Sequence, residues 1–199
     1  MTKPSKDDMK RVAQIWSERK DMAHYQKEEK ILKELFTQYP KNTNLDEITQ
    51  KVAKLDKFYS TGLARNQISH SDMAKHILSV NFDKRVQGWD EKLVKDIATK
   101  FAKKSYSFAS KYCVLHNSWV YKRDDFVIFD GLVCKKLKEF KKAYKGKCAF
   151  AEFKNEDIER LENYGKYKQI LENFRGDFKL NCSLRDLDWY LWKMGKLGE

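Results

Sequence analysis

A chain of 199 residues, 41% apolar and 14% aromatic, can bury one sizeable core without metals or disulfides but is short for two independent domains. Two prolines and eight glycines leave little material for the turns of an all-β protein, so the composition favours helices. Lys and Arg number 41 against 29 Asp and Glu, and the net charge of +12 points to a polyanionic partner, with nucleic acid ahead of an anionic membrane surface. Lysines scattered over an ordinary basic surface are the plainer reading of the same charge.

The stretch from Ser5 to Tyr39 is heavily charged. It carries one apolar stripe at Val12, Ile15 and Trp16 and another at Ile31, Leu32, Leu35 and Phe36, which predicts one broken helix or two, closed by Pro40. Asn44 is placed to cap a helix whose Ile48, Val52, Leu55 and Tyr59 recur at helical spacing, with Thr61 and Gly62 ending it. The segment SHSDMAKHILSV gives a further cap and a stripe of Met73, Ala74, Ile77 and Leu78. A helix is expected from about Asp90 to Lys104, turning Leu93, Val94, Ile97, Ala98 and Phe101 inward. Another is expected from Phe108 to Asn117, followed by the loop SWVYKRDD and the apolar run FVIF. Asp130 stands before the amphipathic GLVCKKLKEFKKAY, where its carboxylate can accept backbone N–H groups and meet the positive end of the helix dipole. Asn155 and Ser183 are candidate N-caps of the last helices, and Ser183 with Asp186 has the spacing of a capping box.

Cys113, Cys134, Cys148 and Cys182 are widely spaced, with no CxxC, which argues against a structural zinc or an iron–sulfur cluster. The charged N-terminal MTKPSKDDMKRVAQIW has no apolar signal-peptide core, and no apolar run is long enough to cross a bilayer. The expectation is a cytoplasmic all-α protein with reduced thiols, forming a single domain or two small lobes that flank a cleft.

One stretch carries chemistry. In SYSFASKYCVLHNSWVYKRDDFVIFDG, a lysine near the start of one helix precedes by 19 positions an aspartate that opens the next, with VIFD leading into it. This arrangement resembles the catalytic segment of the helix-hairpin-helix DNA glycosylases, and most the 8-oxoguanine glycosylase/AP lyase branch. The C-terminal LDWYLWKMGK also looks like the closing helix of small members. The hairpin departs from the family pattern, with Ser107 and Ala109 where glycines are usual and Tyr106 at the proline position; the cysteine-ligated cluster of another branch is absent.

The resemblance implies a compact helical glycosylase-like fold with a helix-hairpin-helix element and a central cleft. It implies a monomer that works on duplex DNA carrying a damaged or modified purine, with oxidised guanine first, and needs no metal or organic cofactor. Lys111 falls at the nucleophile and Asp130 at the catalytic aspartate. A flipped-out nucleotide would offer its anomeric carbon to the Lys111 amine, freed by desolvation and neighbouring cations, with departure of the base and formation of a Schiff base that permits β-elimination. Ser107, Phe108, Ala109 and Ser110 fall at the DNA-contacting hairpin, and Asn66 and Gln67 at the loop that enters the duplex. Lys122 and Arg123 are candidate DNA contacts, and His116, Asn117, Trp189 and Trp192 candidate base-pocket residues. Each has a plainer reading: solvated lysine, N-cap, C-cap for Asn117, turn chemistry after Gly62, and core packing for the tryptophans. The contrasting functions are a non-catalytic DNA-binding module, a glycosylase of hypermodified phage bases, and an adaptor whose basic face meets an acidic protein.

Overall fold

A computed structural model describes residues 2–20, 23–159 and 163–198. Among these residues the chain is all-α, without a β-strand. In chain order the helices are α1 (Lys6–Glu18), α2 (Ala23–Gln38), α3 (Leu45–Tyr59), α4 (His70–Ser79), α5 (Phe82–Gln87), α6 (Lys92–Ala98), α7 (Tyr106–Trp119), α8 (Gly131–Tyr144), α9 (Glu156–Glu159), α10 (Tyr164–Asp177) and α11 (Leu184–Leu197). None is long and apolar enough to cross a membrane.

Local chemistry sets most of the starts. The Ser5, Asn44, Ser69, Asp130 and Asn163 side chains accept the otherwise unpaired N–H groups of the first turns of α1, α3, α4, α8 and α10. Ser183 and Asp186 close a reciprocal capping box, with the Ser183 hydroxyl accepting the Asp186 N–H at 3.0 Å and the Asp186 carboxylate accepting the Ser183 N–H at 3.3 Å. Asn155 precedes the short α9, and its side chain accepts from Lys141 at 3.4 Å instead. The single helix suggested by NEDIERLENYGKYKQILENF is thus two, with Asn163 capping the second; Arg160, Leu161 and Glu162 lie outside the described residues.

Two compact units divide the chain: Met1–Ala23 with Phe129–Glu199, and His24–Ile128. In the second unit α3 packs on α4, and α7 packs on α3, α5 and α6. Every α7 side chain except Ser107 and Ser118 is buried, and Phe36 of α2 meets the Tyr112 and Trp119 rings at 5.3 and 5.8 Å. The helix expected over 90–104 is shorter than its apolar stripe: it stops at Ala98, whose carbonyl accepts the Ser105 N–H at 2.8 Å as the chain turns into α7. Phe101 therefore sits half-buried in the turn, edge-on to His76. Short α5 has no long apolar repeat to announce it; it buries Phe82 and Val86.

In the first unit α11 packs on α1, α8 and α10. Phe140, Tyr144, Phe150, Phe174 and Phe178 form a ring cluster with centroid spacings from 4.7 to 6.5 Å, the geometry in which edge and face attract. The Tyr190 hydroxyl donates to buried Asp8, tying α11 to α1.

Candidate functional site

Lys111 lies in the second turn of α7 and is 1% exposed, an unusual place for an ammonium. Helical spacing puts Ser107 one turn before it, and the ammonium donates to the Ser107 hydroxyl at 2.8 Å. Its charge also lies 5.4 Å from the centre of the Tyr59 ring at the end of α3. Tyr59 continues into Phe58 (4.5 Å between ring centres), and Phe58 into Tyr25 (6.1 Å). The Ser107 hydroxyl and the face of the Tyr59 ring thus both meet the lysine. The spacing rules read Tyr59 only as a core position, because nothing local links it to a residue 52 places later.

Directly after Tyr59 runs the loop that holds Asn66 and Gln67. Asp56 organises it, accepting from the Thr61 hydroxyl, from the Leu63 N–H at 3.2 Å and meeting His70 Nε2 at 3.1 Å. Gly62 takes φ +80°, a conformation that side-chain-bearing residues disfavour. Asn66 is half-buried in a single 3₁₀ turn, and exposed Gln67 turns left-handed at φ 60°. Gln67 is therefore both presented at the surface and a turn residue.

The hairpin stretch is helical from Tyr106 onward, and the reversal of the chain lies upstream, in residues 99–105. Phe108, Ala109 and Ser110 are fully buried within α7, and Ser107 is half-buried with its hydroxyl on Lys111. Lys122 and Arg123 are exposed in the following loop, where Lys122 donates to the Trp119 carbonyl and Arg123 pairs with Asp125 at 2.6 Å and donates to the Gln87 carbonyl. Asn117 is buried before the helix end, and the C-cap is Val120. Its amide exchanges two hydrogen bonds with Asp125, at 2.9 and 3.0 Å, and so staples the 120–125 loop to α7.

His116 is fully buried in a polar knot that the sequence did not announce. Asp83 accepts both the backbone N–H and the amide of Asn42 at 2.7 Å and meets His116 Nε2 at 3.2 Å. The Asn42 carbonyl oxygen accepts from Tyr112 at 2.6 Å and from the fully buried Lys51 at 2.8 Å. Lys51 also caps the end of α2 through the Tyr39 and Lys41 carbonyls. Burial lowers Lys51 to a pKa of about 8, against the pull of Asp83 and Glu47. Burial also lowers His116, against its bond to Asp83. Burial alone would raise Asp83, but the His116 and Asn42 hydrogen bonds outweigh it and hold the carboxyl at about 2.

These shifts fix a pH dependence. Because the folded Asp83 is more acidic than its ordinary 3.8, its contribution is complete above about pH 4 and is lost as pH falls toward 2. The loss amounts to about 2 kcal/mol. Melting temperature should drop across that window by less in Asp83→Asn than in wild type, and equal drops would show that other carboxylates govern acid unfolding.

Asp130 belongs to the first unit. It is half-buried, and its Oδ1 accepts the Leu132 N–H at 2.9 Å at the start of α8. The buried Tyr167 hydroxyl feels it: burial first, then the charges of Cys134, Asp188 and Asp130, keep that phenol protonated well above its ordinary range. In the same unit Trp189 and Trp192 are half-buried on α11 and meet Trp16 of α1. The four cysteines form no disulfide. Among the described residues no group of three or more His, Cys, Asp or Glu side chains is placed to hold a metal ion.

The second unit is a helical domain built round a buried lysine-bearing helix, and it coincides with most of the region that comparison identifies. Residues 8–123 match the family HI_0787_N, described as an N-terminal domain, and the chain belongs to that family. An uncharacterized protein of Haemophilus influenzae is 37% identical over 129 residues, covering 62% of this chain and 56% of that protein. The chain thus spans just over half the length of this curated relative. No solved structure matches. The family region includes Lys111 and the whole polar knot and ends before Asp130.

Proposed function

We propose that the chain is a DNA glycosylase of the helix-hairpin-helix kind with associated AP lyase activity, acting on a flipped-out modified purine. The observation that carries this reading is Lys111, a fully buried amine held by one hydroxyl and an aromatic face on α7. Lysines are normally exposed, so a buried one on this helix stands out as a candidate nucleophile.

The Lys111 nitrogen, after giving up a proton, bonds to the sugar's anomeric carbon as the glycosidic C–N bond breaks, and the base leaves with a proton. The sugar ring then opens: the C1′–O4′ bond breaks, O4′ takes the proton that the nitrogen loses, and the resulting C1′=N imine acidifies C2′ so that the 3′ phosphate leaves by β-elimination. The resemblance gives Asp130 the part of stabilising the developing oxocarbenium charge or moving protons. The net charge of +12 supplies the affinity for phosphates.

The test is borohydride trapping on duplexes carrying oxidised, alkylated, deaminated, abasic and hypermodified nucleotides. A covalent adduct supports the imine route, and the duplex that gives it names the substrate class. Salt-sensitive binding with neither adduct nor base release points to the non-catalytic module.

Asp130→Asn separates chemistry from folding. Asparagine caps a helix about as well as aspartate, so the melting temperature should hold while base release slows by about 10²- to 10⁴-fold. A melting temperature that falls in step with activity would reduce Asp130 to its cap.

A further inference from the structure

We propose that Trp16, Trp189 and Trp192 form a stacking platform for an unpaired nucleotide of single-stranded nucleic acid. The proposal does not rest on the glycosylase reading.

The core stripe of α11 is Leu184, Leu187, Tyr190, Leu191 and Met194, all buried. Trp189 and Trp192 stand off that stripe and are only half-buried. Arg185, Lys193 and Lys196 share their face at spacings of three and four. Trp16 reaches this face from α1 and is 3% exposed, giving the cluster a rigid floor. The indole centres are 5.2 Å apart for Trp16 and Trp192, 5.2 Å for Trp189 and Trp192 and 6.5 Å for Trp16 and Trp189, in tilted or edge-to-face pairs.

Each ring carries a cation. Lys193 lies 5.2 Å from Trp189 and 5.7 Å from Trp16, Lys196 5.4 Å from Trp192, and Arg185 5.2 Å from Trp189. Arg185 is also paired with Asp188 at 3.1 Å. Lys193 further lines a shallow groove of ≈ 270 Å³ between α1 and α11, where it and Lys10 outnumber Asp186.

A nucleobase that displaces a lysine from an indole face replaces one π contact with another, and the released ammonium then meets the nucleotide's phosphate. Charge complementarity thus selects a ligand with both a flat ring and an anion at every repeat. An acidic peptide has the anion without the ring. An anionic bilayer would want the indoles and lysines splayed outward, whereas here the ammonium groups lie over the rings.

The experiment titrates the full chain with a lesion-free thymidine 12-mer, an equally long strand of tetrahydrofuran abasic analogues that carry no aldehyde for an amine to trap, and phosphatidylserine vesicles, reading tryptophan fluorescence. Quenching by the thymidine strand, with binding at least about tenfold tighter than to the abasic strand, is expected, since each stacked base contributes about 1–3 kcal/mol. Trp189→Ala with Trp192→Ala should remove that advantage, and the corresponding Phe pair should keep most of it. Equal affinity for the two strands in wild type overturns the proposal whether or not the alanine variant folds. So does tighter binding to the vesicles.

Discussion

Under the proposed glycosylase chemistry, Lys111→Gln is expected to abolish borohydride trapping and slow base release by at least about 10³-fold while the protein remains folded. Glutamine retains a donor for the Ser107 hydroxyl that now accepts from the ammonium at 2.8 Å. The contact with the Tyr59 ring is lost at a cost of about 1 kcal/mol, partly offset because a neutral side chain is easier to bury. Melting temperature and DNA affinity should therefore move little. Wild-type trapping in this variant would remove Lys111 from the chemistry. Base release that persists without an adduct would replace the imine route with attack by water. Trapping needs a bound complex, so the variant's DNA affinity is measured beside it, and lost trapping counts against Lys111 only where binding is retained.

Asn42→Ala is expected to cost about 3 kcal/mol of stability. The Asn42 side chain is the joint of the polar knot: its oxygen takes hydrogen bonds from Lys51 and Tyr112, and its nitrogen gives one to Asp83. Alanine leaves a buried ammonium with two backbone carbonyls in place of three acceptors, and leaves the Tyr112 hydroxyl without this acceptor. The backbone N–H bond to Asp83 survives, which keeps the loss below that of a fully broken buried ion pair. The expected fall in melting temperature is about 6–12 °C. Lys51→Met alone should cost less, and combined with Asn42→Ala should recover part of the loss because the buried charge has gone. Additive losses would show that Lys51 and Asn42 are not coupled. A loss in Asn42→Ala below about 1 kcal/mol would mean that water replaces the amide.

The two predictions touch the same helix for different reasons. Tyr112 and His116 join α7 to the knot, and Lys111 lies beside Tyr112 in sequence. If Lys111 acts on DNA, the knot is what holds its helix rigid, as a nucleophile requires. Both lie within residues 8–123, the stretch that defines the family, whereas Asp130 and the α11 tryptophans lie beyond it.

Read by itself, the sequence determined what depends on near neighbours. Apolar residues at spacings of three and four placed α3, α4 and α11, because a helix turns about once every 3.6 residues. Asn44, Asp130 and Ser183 announced helix starts, because a short polar side chain can satisfy only N–H groups within a few residues of itself. The 19-position spacing of Lys111 and Asp130 was visible on the same local scale, as a resemblance.

Tertiary structure alone decided what depends on distant neighbours. Nothing near Lys111 in sequence predicts the Tyr59 ring, nothing near His116 predicts Asn42, Lys51 and Asp83, and nothing near Trp189 predicts Trp16. The end of α6 at Ala98 likewise follows from the hydrogen bond that turns the chain into α7, although the apolar stripe continues to Phe101. Side chains reach only a few ångströms, so contacts between residues tens of positions apart exist only once the helices have packed; periodicity shows which face of a helix is buried, and packing chooses what it is buried against.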